Sequence, residues 1–261
     1  MTHYLTIYLI SLRLNFLRLL EYRANFVNST ISSVGWGVFS VIVIFLLTAK
    51  VPHFFGWTRN ELLVLSACVN IFFGFFRGMF SGNFETISVV VKFGKLDGYL
   101  TKPVNSQFLI STTYMTLTGL FRVVLGALFL WYLLYIFNMP VNIFDVLLFM
   151  LLLGLGIILL YSLWFIVITL TIWYPNLSNI VGLMYAFDST IRYPQEMYKQ
   201  LQGVFFFIFP FTLVIIPATK ALLHKVTIIE VLSLLLFSLV FLYLSNLFWR
   251  YALRFYTSAS S

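Results

Sequence analysis

Residues 143–173 read IFDVLLFMLLLGLGIILLYSLWFIVITLTIW, and Asp145 is the single charged residue in this run. A helix needs about 20 apolar residues to cross the hydrocarbon core of a bilayer. The run is longer than that, and it lacks the alternation of apolar and polar residues that marks a membrane β-strand. Because lipid offers no hydrogen-bond partners to a backbone, the run predicts a tilted transmembrane helix.

The composition of the whole chain has the same character. Apolar residues occupy 61% of 261 positions and charged residues only 9%, whereas soluble domains carry about 25% charged residues. The net charge of +8 does not indicate a nucleic-acid partner, because the basic residues stand singly at the ends of apolar runs, as they do in membrane loops. We therefore predict an all-α polytopic membrane protein with the lipid bilayer as its solvent.

The apolar runs predict one transmembrane domain over residues 1–261, with six spans at about 27–49, 60–80, 108–137, 143–173, 176–190 and 227–250. Before the first span, residues 4–25 carry polar residues at helical spacing and three arginines. This pattern favours a helix that lies in the membrane interface.

Residues 191–222 do not resemble an ordinary span. They combine a polar segment with an apolar run that contains Pro210 and Pro217. Irregular backbone at membrane depth is tolerated only where it is buried in protein or lines a cavity. We expect re-entrant half-helices here, between a short fifth span and the last one.

Two glycines of the second span, Gly74 and Gly78, are four residues apart. This spacing lets two helix backbones approach closely, although it also occurs by chance in apolar runs.

The distribution of Lys and Arg predicts that both termini are cytoplasmic. On that orientation nine basic residues lie inside, namely Arg13, Arg18, Arg23, Arg77, Lys92, Lys95, Lys102, Arg250 and Arg254. Six lie outside, namely Lys50, Arg59, Arg192, Lys199, Lys220 and Lys225. The remaining basic residue, Arg122, falls inside the third span.

Residues 84–96 predict a short amphipathic helix on the cytoplasmic side. Its polar face has steps of 3, 4 and 3 residues and comprises Glu85, Ser88, Lys92 and Lys95. An apolar row beside it comprises Phe84, Ile87 and Val91. The periodicity leaves two interpretations open: a helix resting on the inner leaflet, and a docking element for a cytoplasmic partner.

The next residues, 94–105, read GKLDGYLTKPVN and resemble a motif of ABC-transporter permeases of the ABC-2 class. Those permeases commonly read Gly-Glu-apolar-Asp-x-x-Leu-x-Lys/Arg-Pro-apolar after the second span. Two later segments, residues 191–198 (IRYPQEMY) and 209–218 (FPFTLVIIPA), resemble the same class in order and spacing. The sequence departs from the motif at Lys95, where an acidic residue is usual.

The resemblance implies the membrane subunit of an ATP-driven exporter in the plasma membrane, working by alternating access beside a second copy or a homologous permease. It implies docking on a separate ABC ATP-binding subunit through Glu85, Ser88, Lys92, Lys95 and Asp97. The chain itself lacks a Gly-x-x-x-x-Gly-Lys-Ser/Thr phosphate loop. We therefore expect no enzyme activity and no cofactor in this chain, with ATP and Mg bound in the partner subunit.

Three acidic or basic residues near the re-entrant segment, Asp188, Arg192 and Glu196, are four residues apart. We expect them to pair along a helix at the outer mouth. Tyr193 and Pro194 set the turn, because proline fixes φ and removes a backbone donor. A structural lock on the turn and a gate contact both remain open.

Candidate pathway residues are Arg122, Asn28 and Ser32. A charged residue within a span is a functional candidate, but Arg122 also fits snorkelling toward the cytoplasm or an internal polar pair. Asn28 and Ser32 fit a helix–helix polar contact equally well. The sequence shows no cluster of His, Cys and carboxylates at metal spacing.

Two other functions compete with the exporter. An ion-coupled secondary carrier predicts an internal repeat between the two halves of the chain, and none is visible. A membrane-embedded lipid-modifying enzyme requires polar catalytic residues clustered on one membrane face, and no such cluster stands out.

Overall fold

A computed structural model describes residues 2–21, 23–49, 53–175, 179–200 and 210–257. The structure is 80% helical, and the described residues contain five helices long and apolar enough to cross a membrane. The prediction of an all-α polytopic membrane protein is confirmed.

In chain order the helices are α1 (Thr2–Glu21), α2 (Arg23–Leu47), α3 (Arg59–Phe76), α4 (Gly82–Lys92), α5 (Asp97–Leu100), α6 (Ser106–Thr112), α7 (Leu117–Ile136), α8 (Ile143–Thr169), α9 (Ile180–Thr190), α10 (Ile216–Leu222) and α11 (Ile228–Ala252). A π-helix, Arg77–Ser81, joins α3 to α4. Short 3-10 turns lie at Leu170–Ile172, Gln195–Gln200 and Leu253–Phe255.

A small antiparallel hairpin precedes α3. It pairs β1 (His53–Phe54) with β2 (Trp57–Thr58), with His53 opposite Thr58. Its turn uses Phe55 and Gly56, both with positive φ. The hairpin leads directly into Thr58, which caps α3.

The second span is the centre of the fold. Helix α3, the π-helix and α4 form one helical run, Arg59–Lys92. In its most apolar stretch of 18 residues, 78% of the residues are buried. Helix α3 packs against α7, α8 packs against α11, and α10 wedges between α8 and α3. The predicted amphipathic segment therefore continues the second span without an intervening loop. Its apolar row (Phe84, Ile87 and Val91) is buried in the core.

Close contact between α3 and α7 depends on glycine. A Cβ on Gly74 would lie 2.8 Å from the backbone nitrogen of Val123, and one on Gly78 would lie 3.3 Å from the Cα of Gly119. Both distances are shorter than ordinary Cβ contacts, so side chains at these positions would push the helices apart. The predicted close approach at Gly74 and Gly78 is confirmed, with Gly119 as the facing residue.

The third predicted span, 108–137, is not one helix. The chain leaves helical geometry between α6 and α7, and Asn83 of α4 holds the break. Its side chain donates to the carbonyl of Tyr114 and accepts from the nitrogen of Tyr114, both at 2.7 Å. The backbone nitrogen of Thr116 also donates to the carbonyl of Gly78 at 2.8 Å. These contacts replace helical partners, so the membrane-crossing part begins only at α7.

Helix α1 is fastened at the same break. The side-chain nitrogen of Asn15 donates to the carbonyl of Thr113 at 3.1 Å, and Asn15 is buried while its apolar neighbours Leu14 and Phe16 are exposed. Two asparagines from different helices thus satisfy consecutive backbone groups in this break, as buried peptide groups require.

Three helices begin with the same arrangement. A carboxylate three residues after the cap accepts a hydrogen bond from the backbone nitrogen of the cap. The pairs are Thr58 with Glu61 (3.0 Å), Asn142 with Asp145 (2.8 Å) and Thr227 with Glu230 (3.0 Å). A negative charge in the first turn also complements the positive end of the helix dipole.

Each of these three carboxylates contacts a basic residue from the end of α10 or the turn that follows it. Lys225 lies 2.6 Å from Glu61, and Lys220 lies 2.6 Å from Glu230. His224 lies 3.5 Å from Asp145. The residues from Lys220 to Lys225 therefore connect the starts of α3, α8 and α11.

The predicted fifth span overlaps α9, which has 11 residues and a length of about 16 Å. That is about half the thickness of a bilayer core. Residues 176–178 of that prediction, and residues 201–209 of the predicted re-entrant region, lie outside the described residues. The described end of the re-entrant region, including Thr212 and α10, is buried.

Candidate functional site

A cavity of about 550 Å³ lies between α2, α3 and the end of α9. Three arginines from different parts of the chain line it, namely Arg77, Arg122 and Arg192. Aromatic and aliphatic side chains of α2, among them Trp36 and Phe39, form the opposite wall. The cavity thus combines a cationic wall with an apolar one.

Arg122 is held by an internal partner. It is 8% exposed, and its Nε and Nη2 donate to the side-chain oxygen of Asn70 at 3.1 and 2.8 Å. Of the two structural interpretations of Arg122, the structure has the internal polar pair and not snorkelling, because the guanidinium stays between α7 and α3. Arg122 also lines a second cavity of about 330 Å³, beside Thr30 and Ser33 of α2.

Aromatic rings support the other two arginines. The guanidinium of Arg77 lies 5.3 Å from the ring centre of Phe73 and 5.0 Å from that of Tyr185. The guanidinium of Arg192 lies 5.4 Å from the centre of the same Phe73 ring. An aromatic face stabilises a cation by its quadrupole without using the N–H donors of the guanidinium. Those donors remain available for a ligand.

Asp188 is buried beside the arginine cavity. It is 1% exposed, and its Oδ1 accepts a hydrogen bond of 3.1 Å from Nε1 of Trp164, near the end of α8. Its Oδ2 has no hydrogen-bond partner among the described residues. The carboxylate interacts electrostatically with Arg77 and Arg192.

The expected pairing of Asp188, Arg192 and Glu196 along one helix is wrong. Helix α9 ends at Thr190, and Pro194 lacks the N–H that would continue it, so the four-residue spacing does not place the side chains in a row. Within the described residues, no ion pair joins any two of the three. Tyr193 lines the cavity, and Pro194 starts the following 3-10 turn.

Glu196 belongs to a separate polar network near the starts of α3 and α11. Its carboxylate accepts from Nζ of Lys220 at 3.1 Å and from Nε1 of Trp57 at 3.1 Å. Lys220 also bonds Glu230, which in turn accepts from the side chain of Gln195 at 3.0 Å. Burial opposes ionisation of Glu196, but its hydrogen bonds and Lys220 hold the pKa of its carboxyl below the usual range.

The five predicted docking residues divide into two groups. Lys92 and Lys95 are exposed, and Ser88 is half-buried. Glu85 and Asp97 instead have partners within the chain: Glu85 accepts a hydrogen bond from the hydroxyl of Tyr185, and Asp97 interacts electrostatically with Tyr256 after the last span. Lys92, Lys95 and Glu85 are exposed and form the accessible part of the predicted docking surface, whereas Ser88 and Asp97 are half-buried.

The predicted pathway residues of α2 lie apart from the cavities. Asn28 and Ser32 are exposed, and the hydroxyl of Ser32 donates to the carbonyl of Asn28 at 2.9 Å within the same helix. Among the described residues, neither lines the two cavities beside α2, where Thr30 and Ser33 stand instead.

A family model for ABC-2 family transporter proteins matches residues 34–260, which include every helix from α3 to α11 and most of α2. The chain belongs to the ABC-2 transporter family. No curated protein and no solved structure matches it. The resemblance carried by residues 94–105, 191–198 and 209–218 is therefore confirmed. This ABC-2 permease is a multi-pass transport component that works with an ATP-binding subunit, and the family is not itself catalytic.

Two side chains at the candidate site escaped the sequence analysis. Arg77 counts among the basic residues of the cytoplasmic side in the sequence analysis, because it lies close to the predicted inner end of the second span, 60–80. Tyr185 is one of many aromatic residues in the chain, and no motif around it marks it as part of a site. A helix predicted without a break from Arg59 to Lys92 would have placed Arg77 in the middle of the span. Arg77 would then lie on the same helix face as Phe73, four residues earlier.

Proposed function

We propose that the chain is the membrane subunit of an ATP-driven exporter that moves its substrate out of the cytoplasm by alternating access. Two permeases, identical or homologous, pair in the plasma membrane with both termini cytoplasmic. Each docks on an ATP-binding subunit, which binds ATP and Mg. Helix α9 with the segment after it forms the short fifth crossing and the re-entrant element, which gives six crossings in all.

The observation that carries this proposal is the continuity from α4 to the cavity. Exposed Lys92 stands at the end of α4, and Glu85 on the same helix binds Tyr185 of α9. The ring of Tyr185 lies under Arg77, which lines the cavity. A partner that shifts α4 therefore shifts a residue of the cavity wall through direct contacts.

Co-purification with the cognate ATP-binding subunit, followed by transport in proteoliposomes, tests the proposal. We expect Lys92→Glu to abolish or weaken the copurified complex and to uncouple ATP hydrolysis from transport while membrane insertion stays normal. Asn60→Glu introduces a negative charge at an exposed site at the opposite end of the same helical run and serves as the matched control. Transport that persists without ATP and collapses with an ion gradient would instead identify an ion-coupled carrier.

A further inference from the structure

The arginine cavity contains more positive charge than its surroundings neutralise. In the part of the chain that the structure describes, no carboxylate lies within 4 Å of the guanidinium groups of Arg77, Arg122 or Arg192. Asp188 is the described carboxylate that interacts electrostatically with Arg77 and Arg192. The described residues thus provide no ion pair within 4 Å for any of the three arginines, and the arginines repel one another.

Positive charge without compensation is unfavourable at membrane depth. Removing an ion from water carries a penalty of several kcal/mol even after the protein relaxes. Charged residues in membrane proteins therefore face the interior or a water-filled cavity and mark ligand pathways. Repulsion among three neighbouring guanidiniums adds to this penalty, and an anion in the cavity removes it.

The arginines also keep free donors. A guanidinium has five N–H groups, and Arg122 uses two of its nitrogens on Asn70. The Nε of Arg77 is buried and has no hydrogen-bond partner among the described residues. The planar fork of arginine matches phosphate and carboxylate oxygens in a bidentate geometry. An oxyanion with two or more oxygens fits this set of donors.

The opposite wall of the cavity excludes a purely hydrophilic ligand. It consists of Trp36, Phe39, Val43 and Ile44 of α2 together with Val69 of α3. Trp36 and Phe39 are 60% and 55% exposed on α2, so the apolar wall continues onto the outer surface of the chain. The volume of about 550 Å³ lies within the range of small-molecule sites.

We propose that this cavity binds an anionic amphiphile, whose phosphate or carboxylate lies on Arg77, Arg122 and Arg192 and whose apolar part lies along Trp36 and Phe39. This inference rests on the proposed function, because it names the chemical class of the transported substrate. Both a phospholipid of the bilayer and a separate amphiphile have this chemistry. A cationic amphiphile does not, because the arginines would repel it.

Binding of dodecyl phosphate to the purified full-length permease in phosphatidylcholine nanodiscs tests the inference. Dodecyltrimethylammonium has the same tail with the opposite charge, and inorganic phosphate has the head without the tail. We expect dodecyl phosphate to bind at least about tenfold more tightly than either probe. Equal binding of the cationic probe, or equal binding of inorganic phosphate, would overturn the proposal of an anionic amphiphile.

Single substitutions assign the site. Arg77→Gln and Arg192→Gln should each weaken binding of dodecyl phosphate about tenfold, the loss expected for one charge-assisted hydrogen bond. Arg59→Gln is the matched control, because Arg59 binds Thr48 at the start of α3 and does not line the cavity. Equal affinities of the two cavity variants and the wild type would refute the site.

Nanodiscs that contain phosphatidylglycerol separate the two sources of ligand. Competition by this lipid identifies a bilayer phospholipid as the occupant, and undisturbed binding of dodecyl phosphate identifies a separate amphiphile. The binding measurement needs no ATP-binding subunit. Failure of ATP-driven transport would therefore leave it unaffected, and failure of binding in a protein that still transports would overturn this inference alone.

Discussion

The hydroxyl of Tyr185 on α9 donates a hydrogen bond to the carboxylate of Glu85 on α4. The residues are 100 positions apart in the chain, so the bond joins the second span to the short helix before the re-entrant region. The ring of Tyr185 also meets the edge of Trp164 at 5.3 Å and supports Arg77. One side chain thus connects the helix of the predicted docking surface with the arginine cavity.

Removing only the hydroxyl tests this connection. Tyr185→Phe keeps the ring under Arg77, so we expect normal insertion and normal ATP hydrolysis by the partner subunit. Transport per ATP hydrolysed should fall about tenfold, because the lost bond has a charged acceptor. Tyr243→Phe, on an exposed position of α11, is the control. An unchanged ratio of transport to hydrolysis in proteoliposomes would show that the bond plays no part in coupling.

The glycine contact between α3 and α7 predicts a steric effect. A Cβ on Gly119 would lie 2.7 Å from the backbone nitrogen of Gly78, so Gly119→Ala should destabilise the protein by about 1–3 kcal/mol. Gly154→Ala on α8 is the control, because a Cβ there has no neighbour within 4 Å. Thermal unfolding in detergent measures both, and equal midpoints for the two variants would contradict the close packing.

The break between α6 and α7 predicts a loss that depends on one side chain. Asn83→Ala leaves the backbone nitrogen and carbonyl of Tyr114 without the side-chain partner that binds both. Each lost hydrogen bond contributes about 0.5–1.5 kcal/mol to stability. We expect a lower unfolding midpoint and faster proteolysis between residues 113 and 116. The control is Asn28→Ala, at an exposed asparagine of α2, and equal effects of the two substitutions would refute the role of Asn83.

The network around Glu196 predicts a pH dependence. Because the folded protein holds the pKa of Glu196 below its ordinary value of about 4.3, the carboxylate stabilises the fold fully above that pH. The stabilisation is lost as the pH falls further, through the lower pKa of the folded state. Glu196→Gln should therefore show a shallower decline of the unfolding midpoint below about pH 4.3. A decline as steep as in the wild type would contradict this role.

The orientation can be tested with introduced cysteines, because the natural Cys68 is fully buried in α3. Asn60→Cys and Phe93→Cys place thiols at exposed positions at the two ends of the run Arg59–Lys92. We expect an impermeant maleimide to label Cys at position 60 in intact cells and at position 93 only in inverted vesicles. The reverse pattern would place both termini outside.

The sequence alone predicted those features that follow from the spacing of residues within one helix. The row of Phe84, Ile87 and Val91 indicated an amphipathic helix, and the spacing of Gly74 and Gly78 indicated a close helix contact. Both features depend on residues within one helix. Periodicity did not reveal the break at residues 113–116, because residues 108–112 are apolar enough to extend a span and the side chain that holds the break, Asn83, lies 31 positions away.

The candidate site required tertiary information for the same reason. Arg122 stood out in the sequence as a charge within an apolar run. Its partner Asn70 lies 52 positions away in the chain. Arg77 lies in the middle of a long helical run because α4 continues α3. The spacing of Asp188, Arg192 and Glu196 was misleading, since it implied a helix that ends before two of the three.

The turn between α10 and α11 constrains how the bundle can rearrange. Lys220, His224 and Lys225 each contact the first-turn carboxylate of a different helix, so separating α3, α8 and α11 at these ends would break three polar contacts at once. The six residues from Lys220 to Lys225 therefore tie the same ends of three helices to one short stretch of chain.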